Sequence, residues 1–147
     1  MHFDRISKQA WLPLGAAAIF AVSAFGAYSS ISIAADIKVT LAGDQEVPPV
    51  KSAGTGTGTI AIDADKSVSG SVTTTGIAGT AAHIHEAAMG TNGPVIIPLT
   101  KSGDTYTVPA GAKLTDAQFA SFKAGNLYVN AHTAANPGGE IRAQLKP

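Results

Sequence analysis

Residues 55–75 read Thr55-Gly56-Thr57-Gly58-Thr59-Ile60-Ala61-Ile62-Asp63-Ala64-Asp65-Lys66-Ser67-Val68-Ser69-Gly70-Ser71-Val72-Thr73-Thr74-Thr75. Small or apolar residues alternate with hydroxyl residues on both sides of Asp63 to Lys66. A period of two places alternate side chains on opposite faces of an extended chain, and an Asp-rich break between two such runs supplies a turn. The stretch predicts a β-hairpin. Its glycines at 56 and 58 suit close backbone packing; they lead into no helix and lack the lysine of a phosphate loop.

The same alternation extends outward from this hairpin. Ile37 to Leu41 reads as a strand before it, and Glu46-Val47-Pro48-Pro49-Val50 as an edge or connecting segment, since two prolines remove ladder donors. Further strands are expected at 82–86, 95–99 and 105–108, each bounded by Gly, Pro, Asn or Asp. One short helix near 116–124 interrupts them: Thr115 is a candidate N-cap, Gln118 stands three residues on, and Gly125 sits where a C-cap glycine belongs. Strands at 127–132 and 140–145 flank Asn136-Pro137-Gly138-Gly139 and should close a terminal hairpin. In that hairpin Tyr128, Asn130 and His132 share one face, and His132 should lie near Glu140 and Asn130 near Arg142. The pattern predicts an all-β fold, a Greek-key β-sandwich or barrel of seven or eight strands with one short helix.

The N-terminus has a different grammar. Arg5 and Lys8 precede an uncharged, mostly apolar run from residue 11 to residue 27, and small residues at Ser32 and Ala34 fit a peptidase site. Residues 1–35 are expected to be a cleaved signal peptide, with a retained anchor as the alternative, and residues 36–147 a single domain in the periplasm or outside the cell. Beyond the export signal no membrane contact is expected. Without Asp4, Arg5 and Lys8, eight basic residues face nine acidic ones, scattered along the chain. Nucleic acid demands a basic stripe, so it is not an expected partner. With no cysteine, disulfides and thiolate metal sites are excluded.

Three histidines remain in the expected domain: His83, His85 and His132. His83 and His85 flank Ile84 on a strand, so both imidazoles project from one face. If that strand lies beside the one bearing His132, three imidazoles converge on a metal ion. Imidazole suits copper and zinc, and a thiolate-free site outside the cytoplasm is compatible with copper. Glu86 or Glu140 would complete the shell or hold a ring N–H, and Met89 is a candidate soft ligand. The alternative is a hydrogen-bonded polar rim with no metal. No catalytic serine elbow, phosphate loop or complete calcium loop is present, so no catalytic residue is assigned.

Several ordered motifs together resemble one family: Leu41-Ala42-Gly43-Asp44-Gln45-Glu46-Val47-Pro48-Pro49-Val50, Ala82-His83-Ile84-His85, Asn92-Gly93-Pro94-Val95, and Gly125 to Thr133 continued by Pro137 to Arg142. They are similar to the CHRD (chordin-type) domain, found in bacterial exported proteins and in animal chordins. In chordins the resemblance implies ligand binding. A fainter resemblance is to copper/zinc superoxide dismutase, carried by His83-Ile84-His85-Glu86, His132 and Arg142. It implies three copper ligands and an arginine that attracts an anion. Val95 stands where the bridging histidine would be. Three functions therefore stay open: a CHRD binding module holding copper, a dismutase-type redox enzyme, and a structural or adhesive domain.

Overall fold

The computed structural model describes residues 35–147, and the expected signal peptide, residues 1–35, lies outside them except for Ala35. Nine strands and one helix follow in chain order: β1 Ala35–Ala42, β2 Thr55–Ile62, β3 Val68–Thr75, β4 Gly79–Glu86, β5 Val95–Pro98, β6 Thr100–Ser102, β7 Thr105–Thr107, α1 Asp116–Lys123, β8 Leu127–Thr133 and β9 Ile141–Leu145. A 3-10 turn at Gly43–Gln45 follows β1. Among the described residues no helix is long and apolar enough to cross a membrane.

The strands hydrogen-bond in the order β5-β4-β8-β9-β1-β2-β3-β7-β6, antiparallel throughout. The two ends of that order, β5 and β6, are separated in sequence only by Leu99, whose N–H donates to the carbonyl of Ala82 on β4 at 3.0 Å. They are the halves of one bent strand, the first paired with β4 and the second with β7. The sheet therefore nearly closes on itself, which leaves little free edge. The connections β3 to β4 and β7 to β8 each pass over non-neighbouring strands, giving Greek-key crossings.

The expected hairpin pairs in full register, Thr55 opposite Thr75 and Ile62 opposite Val68. Gly58 has to be glycine because a Cβ there would run into the backbone of Ser71 and Val72. The helix begins as expected: Gln118 N–H donates to Thr115 Oγ1 (3.2 Å) and Thr115 N–H to Gln118 Oε1 (2.9 Å), a reciprocal cap. The terminal hairpin pairs Asn130 with Arg142. Leu41, Ile60, Val72, Ile84, Val129 and Ile141, all fully buried, fill the barrel interior.

The outer surface differs around the barrel. Over β2, β3 and β7 it carries exposed threonines and serines. On β8 every residue is buried, the polar face included. Side chains of β4, β8 and β9 there bond to backbone of 87–93 and 137, and to Glu46 in the segment before the prolines. That covered face contains the histidines.

Candidate metal centre

Strand pairing sets the cluster. β4 and β8 lie side by side with His83 opposite Asn130 and His85 opposite Tyr128, and His132 is two residues from Asn130 on the same face. The ligand nitrogens of His83, His85 and His132 lie within 4.8 Å of one another. Nitrogens bound to one ion at about 2.0–2.1 Å stand roughly 3 to 4 Å apart, so closure requires ring movements under about 1 Å.

Hydrogen bonds assign the protons. His132 Nδ1 lies 3.0 Å from the carbonyl oxygen of Pro137, and His85 Nδ1 lies 2.9 Å from that of Gly93. A carbonyl only accepts, so both Nδ1 atoms carry hydrogen and both Nε2 atoms keep a lone pair. His132 Nε2 meets His83 Nδ1 at 3.0 Å. His85 Nε2 is buried without any partner. Holding an imidazole by one N–H on a backbone carbonyl while the other nitrogen points into a cluster is how proteins orient metal-ligating histidines.

Burial is the largest influence on all three rings and lowers their pKa values. The neighbouring imidazoles push His83 further down; at His85 the Gly93 carbonyl and Asn130 oppose the shift, and at His132 the Pro137 carbonyl does so. Neutral imidazole is the form that binds metal.

Other expected participants are used elsewhere. Glu86 accepts from Ser121 Oγ at 2.6 Å on α1. Glu140 accepts from Ser52 Oγ (2.7 Å), Asn136 Nδ2 (3.1 Å) and Thr133 Oγ1, and so secures the 134–139 loop instead of a ring. Met89 is 64% exposed on a loop and belongs neither to the core nor to the cluster. Arg142 is 1% exposed; its guanidinium donates to the carbonyls of Thr91 (2.9 Å) and Ala88 (3.2 Å) and to Gln144 Oε1 (3.1 Å). It also stacks 3.5 Å from the centre of the Tyr128 ring. An arginine so occupied ties down the 87–92 loop, in contrast to the anion-attracting role that the dismutase resemblance implies.

Asn130, Glu46 and Tyr128 carry no metal-ligand signature in sequence, yet they surround the cluster. Tyr128 lies flat against His85, ring centres 4.7 Å apart, and its hydroxyl accepts from Gly93 N–H at 3.2 Å. Asn130 Nδ2 donates to Glu46 Oε1 at 3.3 Å. Their buried partners come from segments far apart in the chain, so only the Asn130/Arg142 pairing was accessible from local pattern.

Comparison with known families settles the relationship: the CHRD domain matches residues 37–145. The chain belongs to the CHRD family. No curated protein and no solved structure matches it. Within this CHRD domain the matched span runs from β1 to the end of β9 and takes in the whole barrel and all three histidines.

Proposed function

We propose that this chain is an exported CHRD-domain binding module, periplasmic or secreted, that holds one copper ion on His83, His85 and His132 without catalysing a reaction. The observation that carries the reading is the pair of imidazoles, His85 and His132, each anchored through Nδ1–H to a backbone carbonyl with its Nε2 lone pair left for the cluster. Three nitrogen donors with no thiolate suit copper or zinc, and divalent copper outranks zinc for a given nitrogen and oxygen site. His83 would move its ring proton from Nδ1 to Nε2 to offer the lone pair. The dismutase alternative loses its anion guide through the four-sided engagement of Arg142.

The test is thermal unfolding of metal-free protein with cupric, cuprous or zinc ion added. A ligand that binds only the folded chain raises its stability, by about 2.7 kcal/mol at a hundredfold excess over Kd. A copper-dependent rise in Tm that disappears in His83→Ala and His132→Ala supports the module. Absence of any shift with all three ions leaves the structural or adhesive reading.

A further inference from the structure

Asn130 forms the floor of the histidine cluster. It stands across from His83 on the neighbouring strand, two residues from His132 on its own strand, and diagonal to His85. Its side chain is buried, with the residue 1% exposed. Nδ2 is committed to Glu46 Oε1, itself on a residue 4% exposed, and that donation determines which end of the amide is left over. The atom left over is Oδ1, which is buried with no hydrogen-bond partner.

A buried amide oxygen without a partner is unusual, and each instance calls for an explanation. Here a second orphan, His85 Nε2, belongs to the same cluster. Both atoms bring lone pairs, since His85 already uses its ring hydrogen on Gly93. Two acceptors do not satisfy each other; a cation between them satisfies both. Close packing secures the amide: a Cβ at Gly139 would strike both Asn130 Nδ2 and the Glu46 carboxylate, so glycine there lets the loop press the pair together.

We infer that Asn130 Oδ1 is the fourth donor to the ion, so that the centre is a three-nitrogen, one-oxygen site that takes cupric or zinc ion in preference to cuprous ion. This rests on the metal reading of the three histidines. Amide oxygen is a hard donor suited to divalent ions, whereas cuprous ion favours soft ligands and gains little from it.

The experiment measures affinity for cupric, zinc and cuprous ion in the purified protein and in Asn130→Ala, with an Asn130→Asp variant that keeps an oxygen. The alanine variant should lose about tenfold or more in cupric and zinc affinity, while cuprous affinity changes less than about threefold; the aspartate variant should retain the divalent affinity. Equal divalent affinity in Asn130→Ala overturns the inference and leaves the three-histidine site standing. Failure of the unsubstituted protein to bind any of the three ions overturns the metal reading itself. A spectroscopic measurement independent of folding in the variants uses the cupric protein in water enriched in the magnetic oxygen isotope. No equatorial broadening is expected when Oδ1 fills the fourth position, and broadening would put water there instead.

Discussion

His83 Nδ1 and His132 Nε2 lie 3.0 Å apart, joined across two neighbouring strands by residues 49 positions distant in sequence. One ring hydrogen holds them together, and the ion of the proposed centre would take the place of that hydrogen. The two rings should therefore be separable by mutation. His83 is the more accessible, and its loss removes a proposed ligand while sparing the loop anchors; His132 also holds the carbonyl of Pro137. His83→Ala should cost metal-free protein under about 1 kcal/mol, and His132→Ala about 1–3 kcal/mol, because it removes a buried ring together with its hydrogen bonds to His83 and to the Pro137 carbonyl. Chemical unfolding in the presence of chelator measures both, and neither variant should show a copper-dependent stabilisation.

Arg142 is the largest fully buried polar side chain and its bonds run to the 87–92 loop. Its burial lowers the guanidinium pKa, but the group keeps its charge at any ordinary pH. Arg142→Ala should destabilise by about 3 kcal/mol, since truncation opens a cavity beside Tyr128 and removes the donors that hold the Thr91 and Ala88 carbonyls. Arg142→Lys should recover less than half of that, because an ammonium cannot reproduce the planar fork. Hydrogen exchange should accelerate at 87–93 in both variants. Unchanged exchange there would mean the arginine does not anchor the loop.

Much of this architecture was legible from period-two alternation, a local property. The Thr55–Thr75 hairpin, the Thr115/Gln118 cap and the Asn130/Arg142 pairing each follow from residues whose partners are close in sequence or symmetric about a turn. β6 escaped notice because Thr100, Lys101 and Ser102 are all exposed, so no apolar face marks them as extended. That omission also hid the closure of the barrel, which depends on β5 and β6 being halves of one strand. The three histidines could be placed on suitable faces in advance. The burial of the outer face of β8 could not, because alternation states which residues share a face and not which distant loops come to cover it. For the same reason Glu86 and Glu140 were natural candidates for the cluster, while Ser121 and Ser52, which claim them, lie 35 and 88 residues away.

Gly139 has φ +135, and its missing Cβ leaves room for the Glu46–Asn130 pair. Alanine there would meet backbone strain and a steric conflict at once. Gly139→Ala should destabilise by about 2–4 kcal/mol and, by shifting Asn130, should lower metal affinity along with stability. A neighbouring control, Gly138→Ala, has open space around the added methyl and should change stability by less than about 1 kcal/mol. Equal losses in the two variants would count against the close approach at 139.

Acid should destabilise the domain in two stages. The three imidazoles have folded pKa values lowered first by burial, so the unfolded chain binds protons before the folded one as pH falls. Their contribution is complete above the unfolded imidazole value of about 6.5 and is lost as pH falls through the lower folded values. Glu140 follows the same sign at lower pH. Hydrogen bonds from Thr133, then Ser52, lower its pKa, with Asn136 adding to them, so its contribution is present above the ordinary carboxylate value of about 4.3 and is lost as pH falls through the folded one. Unfolding midpoints of metal-free protein should fall between about pH 7 and pH 5, and again below about pH 4.5. Glu140→Gln should reduce the second stage and leave the first, whereas a combined His83→Ala, His132→Ala variant should reduce the first, to which His85 still contributes, and leave the second. A single-stage profile unaffected by either substitution would show that these groups titrate alike in the folded and unfolded chain.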